Sequence, residues 1–238
     1  MVSLLVVGCA ANDAIPTPTS GVDATSTTSV TSTSSTTSTS TPTTTTTPPI
    51  PVFTSSIGDV DALRLAHSWT ADCPVSPDEV VLIELSHWGF DGEAHDGAIV
   101  VARSEGENVA AIFEKLFDIG YPIESVIPIG DLPEGIEDDD PDYNNTSGLH
   151  CRRATGSSRW SEHAKGLAID INPLLNPFIT SRTLWPANSE RYLDRTLGEP
   201  GMIIGGDSVV EAFSDHGWLW GGYWESIKDY QHFSTSGR

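Results

Sequence analysis

Val80-Val81-Leu82-Ile83-Glu84-Leu85 is an almost unbroken apolar run, bounded by Pro77-Asp78 and Trp88-Gly89. Its richness in β-branched residues predicts a strand. Ala98-Ile99-Val100-Val101-Ala102 predicts a second, with Asp96-Gly97 before it as turn chemistry, and the two are expected to pair as neighbours. Val109, Ile112, Phe113, Leu116 and Phe117 then recur at helical spacing, with Gly120 where a C-cap belongs. That stripe predicts an amphipathic helix packed on the sheet. Farther on, Leu167, Ile169 and Ile171 alternate with Ala168 and Asp170, the period of a strand that turns one apolar face inward. A last helix is expected over Ser208–His216, followed by the aromatic segment Trp218-Leu219-Trp220-Gly221-Gly222-Tyr223-Trp224. The pattern is mixed α and β.

The first fifty residues have no such pattern. Val6-Val7-Gly8-Cys9 ends a short apolar run and resembles the box that closes a bacterial lipoprotein signal. On that reading Cys9 carries a lipid after cleavage; the missing basic residue suggests a truncated signal. Thr17 to Thr47 is nearly all Thr and Ser with scattered Pro, a composition with nothing to bury, so residues 10–52 are expected to be a disordered linker. Residues 53–238 then form the folded domain. No apolar run approaches the ~20 residues of a membrane-spanning helix, so contact with a membrane is expected only through the lipid anchor.

Charge narrows the partners. The chain of 238 residues has 12 Lys and Arg against 33 Asp and Glu, a net charge of −21. Such a surface repels phosphate backbones and anionic headgroups, so nucleic acid is excluded as a partner. Cys73 and Cys151, the two cysteines besides Cys9, are expected to pair in an oxidising compartment outside the cytoplasm. The acidic run Asp138-Asp139-Asp140-Pro141-Asp142 lacks the Gly and closing Glu of an EF-hand and reads as a solvated loop.

Metal-ligand chemistry is concentrated in two places. In Ser161-Glu162-His163-Ala164-Lys165-Gly166-Leu167-Ala168-Ile169-Asp170, Gly166 lets the chain turn so that His163 and Asp170 approach one ion. Near the C-terminus, Asp229-Tyr230-Gln231-His232 adds a second imidazole. Two neutral imidazoles and a carboxylate are a credible catalytic zinc set with a fourth position left for water. For Asp229 and His232 to face one site, the segment would have to bend at Tyr230-Gln231, because residues three apart in a strand point to opposite faces. His87 and His95 lack a third ligand nearby and are read, like His67, His150 and His216, as structural or surface residues. Ser-x-x-Lys, His-Glu-x-x-His and Gly-x-Ser-x-Gly motifs are all missing from the sequence.

Ser161-x-His163-x-x-Gly166-x-Ala168-x-Asp170, followed by Asp229-x-x-His232, resembles the signature of VanY/VanX-type zinc peptidases. These include D-alanyl-D-alanine carboxypeptidases and L-alanyl-D-glutamate endopeptidases acting on bacterial wall peptides. The likeness extends through Asn144-Asn145-Thr146-Ser147, Cys151-Arg152, Asn172-Pro173 and Trp220-Gly221-Gly222, over most of residues 75–234. It implies an α+β fold of Hedgehog/DD-peptidase type, a small antiparallel sheet packed against helices. It also implies one Zn2+ per chain held by His163, Asp170 and His232. Asp229 matches the general base, although many relatives use Glu there. Arg152 matches an arginine that binds the developing oxyanion or a substrate carboxylate, with Arg153 the runner-up. Ser161, Tyr223 and Trp224 are candidates for contact with substrate, Ser161 as a hydrogen-bonding support and not a nucleophile. The expectation is a monomeric, secreted or lipid-anchored peptidase of peptidoglycan stem peptides, most simply a carboxypeptidase. An endopeptidase, or a wall-binding module that keeps zinc for structure, are the alternatives.

Overall fold

The computed structural model describes residues 50–133, 135–136 and 143–238. The expected signal with Cys9, the linker up to residue 49 and the Asp138–Asp142 loop lie outside the described residues. In chain order the regular elements are β1 (Ser55–Gly58), β2 (Val80–Trp88), β3 (Ala94–Ala102), α1 (Gly106–Asp118), β4 (Ser125–Val126) and β5 (Asn145–Thr146). There follow β6 (Ala168–Asp170), β7 (Phe178–Ile179), β8 (Leu184–Trp185), α2 (Ser208–Ser214), β9 (Leu219–Trp220), β10 (Lys228–Asp229) and β11 (His232–Ser234). The fold is α+β, but the strands form three small antiparallel sheets and one parallel pair where a single sheet was expected.

The largest sheet runs β1-β2-β3, all antiparallel, with Ile83 opposite Ile99. The unbroken apolar run of β2 reflects burial on both faces. Val81, Ile83 and Leu85 join the main core with Val109, Ile112, Phe113 and Leu116 of α1. Val80 packs on the other side with Leu65, Val100 and Leu149, and Leu82 flanks that cluster. Helix α1 ends as its sequence demands, Gly120 taking the left-handed conformation at φ 68°.

Asp96-Gly97 is not the turn before β3. Asp96 and Gly97 pair with Ser86 and Leu85 well inside the hairpin, which is closed instead at Gly89–Glu93. There the Gly89 N–H donates to the Glu93 carbonyl at 2.9 Å, and Asp91 accepts from the Glu93 N–H. Gly97 has a packing reason: a Cβ there would lie 2.7 Å from the Val126 Cβ of β4.

The second sheet, β6-β11-β9, positions the chemistry. Its register sets Phe233 opposite both Ile169 and Trp220, a pairing that faces the core. The same register sets His232 directly opposite Asp170. Cross-strand partners share a face with their Cβ atoms ~5 Å apart, so this pairing alone brings an imidazole and a carboxylate together. The third sheet, β10-β7-β8, holds Asp229 opposite Phe178. Cys73 and Cys151 form a disulfide that ties the segment entering Arg152 to the N-terminal part of the domain. No helix among the described residues is long and apolar enough to cross a membrane.

Candidate metal centre

His163 opens a short 3-10 turn, His163–Lys165, that Gly166 terminates at φ 67°. Gly166 is required twice, since a Cβ would also stand 2.4 Å from the Ala102 N at the end of β3. From this turn the His163 ring reaches β6 and β11. Its Nε2 lies 3.1 Å from Asp170 Oδ2 and 3.2 Å from His232 Nδ1, and His232 Nδ1 lies 3.0 Å from Asp170 Oδ1. All three residues are buried.

The outer nitrogens fix the tautomers. His163 Nδ1 donates to the Gly148 carbonyl at 2.7 Å, and His232 Nε2 donates to the Arg238 carbonyl at 2.9 Å. Each ring therefore presents the other nitrogen, with its lone pair, to the centre. Two imidazole nitrogens and a carboxylate converging in a buried space suit a cation, whether a metal ion or, without one, a proton on His232. The donor set is compact: one ligand atom from each of the three residues lies within 4.8 Å of the others, with the two imidazole nitrogens 3.2 Å apart. The His163, Asp170 and His232 group could hold a metal ion.

Electrostatics show the same demand. Burial pushes Asp170 up, but the neighbouring His163 and His232 outweigh it and hold the carboxyl well below the usual carboxylate range. Burial opposes charge on His232, yet the hydrogen bond and charge of Asp170, with Asp229 behind, hold its pKa at about 9. A proton thus does in part what a metal cation would do fully.

Asp229 enters from the other sheet. The chain bends at Tyr230-Gln231, where β10 gives way to β11. The bend is held on both sides: Tyr230 N–H donates to the Pro177 carbonyl, and Trp220 Nε1 donates to the Tyr230 carbonyl. The Arg195 guanidinium lies 4.5 Å from the Tyr230 ring centroid. Asp229 Oδ1 is sealed from solvent without a hydrogen-bond partner. Burial pushes its pKa up to about 7; the charge of Asp170 adds to the shift, while His232 and Arg152 pull against it.

These residues open into a cleft of about 1150 Å³ that contains His163, Asp170, Asp229 and His232 together with Arg152, Ser161 and Trp224. Ser161 is buried, and its Oγ accepts from the His163 N–H at 3.3 Å, a supporting contact. The Trp224 ring stands 5.6 Å from His232. Tyr223 does not line the cleft. The Gly221–Tyr223 turn swings it outward, where it is 59% exposed and meets Trp220 edge-on. Trp218 and Trp220 belong to the core. Outside the cleft, His87 is buried with its Nδ1 3.4 Å from the Trp88 carbonyl, and His95 pairs with Asp91.

Compared with known protein families, residues 155–235 match the D-alanyl-D-alanine carboxypeptidase family. Searches of curated proteins and of solved structures gave no match. The carboxypeptidase-family stretch includes all three candidate ligands and Asp229, while Arg152 lies just before it.

Some contributors have no signature in the sequence. The Gly148 and Arg238 carbonyls that orient the two imidazoles are backbone atoms. The sign of the cleft was also hidden by the whole-chain charge: Arg152, Arg153, Arg159, Lys165 and Arg238 line it against Glu162, Asp170 and Asp229. Five of the chain's 12 basic residues therefore border one opening in a protein of net charge −21. Three arginines between positions 152 and 159 were the available clue.

Proposed function

We propose that this protein is an extracytoplasmic metallopeptidase that hydrolyses peptidoglycan stem peptides, in the first instance removing a terminal D-alanine. The observation that carries the reading is the sealed, unpartnered Asp229 Oδ1 beside two inward-facing imidazole lone pairs and a carboxylate. A purely structural ion is usually closed by a fourth protein ligand and has no need of a sealed carboxyl oxygen without a partner beside it. This argues against a non-catalytic wall-binding module.

His163, Asp170 and His232 would hold one Zn2+, which when bound supplies Lewis acidity toward water and a carbonyl oxygen. Asp229 takes the proton of the attacking water and returns it to the leaving amine. Gly148 and Arg238 keep the imidazoles from rotating. Arg152 is half-buried in the cleft and pairs with no carboxylate among the described residues. It is free to bind the developing oxyanion or the substrate's terminal carboxylate.

One observation favours a second reading within the same class. A cleft of about 1150 Å³ exceeds what one terminal dipeptide fills and suits an extended peptide, as an endopeptidase requires. The disulfide fits an oxidising compartment. A lipid anchor at Cys9 and a monomeric state complete the proposal. The test is incubation of the protein with a wall pentapeptide, with and without chelator, followed by mass analysis. Free D-alanine supports the carboxypeptidase, an internal cut supports the endopeptidase, and cleavage that survives metal removal refutes both.

A further inference from the structure

We infer that the Arg152–Trp160 flap is an anion-recognising arm that selects peptides bearing a second free carboxylate, in addition to the group met by Arg152. The inference rests on the peptidase reading and adds a substrate class to it.

The flap is a small hairpin. Ser161 N–H donates to the Arg152 carbonyl, Ala154 N–H donates to the Arg159 carbonyl, and Arg153 bridges to Trp160. It carries three guanidiniums in eight residues, all lining the cleft. Elsewhere Arg64 pairs with Asp131, Arg103 with Asp59 and Arg191 with Glu199. Arg195 is satisfied by the Leu175, Tyr192 and Ile203 carbonyls and Asn176, and Arg182 and Arg238 are scattered single cations without an acid partner among the described residues. Lys165 in the cleft is likewise taken by Glu162 at 2.9 Å. Arg152, Arg153 and Arg159 pair with no acid among the described residues, although acids outnumber bases 33 to 12. Three guanidiniums together on one flap, none with an acid partner among the described residues, suit an anion from outside.

The site is partly built in advance. The Arg153 guanidinium lies 3.5 Å from the Trp160 ring centroid, and its Nη1 donates to the Ser158 carbonyl at 2.9 Å. Stacking on the indole and one backbone bond hold the planar group in place, which lowers the ordering cost of binding a carboxylate. Arg153 and Arg159 are exposed, whereas Arg152 is half-buried, so the flap offers cations at two depths. The inner one serves the reacting end of the substrate and the outer two a carboxylate farther along it. In a stem peptide that group is the free α-carboxylate of a γ-linked D-glutamate.

The experiment compares two stem pentapeptides, one with that D-glutamate carboxylate free and one with it amidated. An exposed charge pair contributes a factor of a few, so two arginines give about tenfold. The expected ratio of kcat/KM, free over amidated, is about 10 in the natural protein, falls at high salt, and drops toward 1 in Arg153→Gln/Arg159→Gln. The ratio is internal to each preparation, so a partly unfolded variant does not distort it. Calorimetric binding of both peptides to Asp229→Asn reads the same preference without turnover. Equal kcat/KM or equal Kd for the two peptides overturns the inference while leaving the peptidase intact. A tenfold difference in Kd with neither peptide cleaved supports the flap and sinks the peptidase reading.

Discussion

Replacing Asp229 by Asn should make the metal-free protein more stable and the enzyme inactive. The carboxyl is ordinarily half-ionised near 3.8 and is pushed up to about 7 by burial. Between those values the folded state binds a proton that the unfolded state has released, so stability falls as pH rises through that window and then levels off. At about 1.4 kcal/mol per pH unit, the metal-free protein above pH 7 has lost at most about 4 kcal/mol to this one group. Asn is isosteric and cannot ionise, so it escapes the loss. For a domain of this size, about 4 kcal/mol corresponds to about 10 °C in Tm. Thermal unfolding of the chelator-treated protein should therefore show Asp229→Asn well above the parent at pH 8 and close to it at pH 4. Turnover should meanwhile fall by ~10²–10⁴, the range for loss of a general base, with metal content unchanged. A variant equally destabilised at both pH values, or one that loses its metal, would refute the assignment of Asp229 as a buried, non-ligating base.

Asp170→Asn removes the only anionic donor, and metal affinity measured by chelator competition should drop at least 100-fold, with His163→Ala giving a similar loss. Because the metal-free His232 holds a proton up to about pH 9, that proton competes with the ion; apparent metal affinity should rise about tenfold per pH unit from pH 6 to 8 and flatten above 9. Gly166→Ala combines a left-handed φ with a Cβ 2.4 Å from the Ala102 N and should cost about 2–5 kcal/mol in urea unfolding. Cys73→Ser/Cys151→Ser opens a link spanning 78 residues and should cost up to about 4 kcal/mol, with no loss under reducing conditions beyond that of the reduced parent.

The sequence disclosed what depends on side-chain type and short-range period. The apolar runs of β2 and β3, the stripe of α1 and the bend at Tyr230-Gln231 all follow from such rules. The convergence of His163, Asp170 and His232 was also legible, because metal chemistry restricts which side chains would serve and a turn at Gly166 limits their spacing. What stayed hidden depends on long-range partners. Asp91-Gly92 and Asp96-Gly97 are equivalent as turn dipeptides; the approach of Val126 to Gly97, some thirty residues away, decides between them. Tyr223 and Trp224 are adjacent aromatics, yet only the second faces the cleft. The division of strands among several sheets, the carbonyls behind the imidazoles and the basic cleft follow equally from contacts distant in the chain.

Asp229 and His232 are neighbours in sequence but draw their backbone partners from separate sheets. A two-residue elbow is all that joins them. Drift in that elbow, or in the β7–β8 hairpin paired with β10, can therefore advance or retract the Asp229 carboxyl while the His232–Asp170 pairing stays undisturbed. Directed evolution toward bulkier peptides has the same handle.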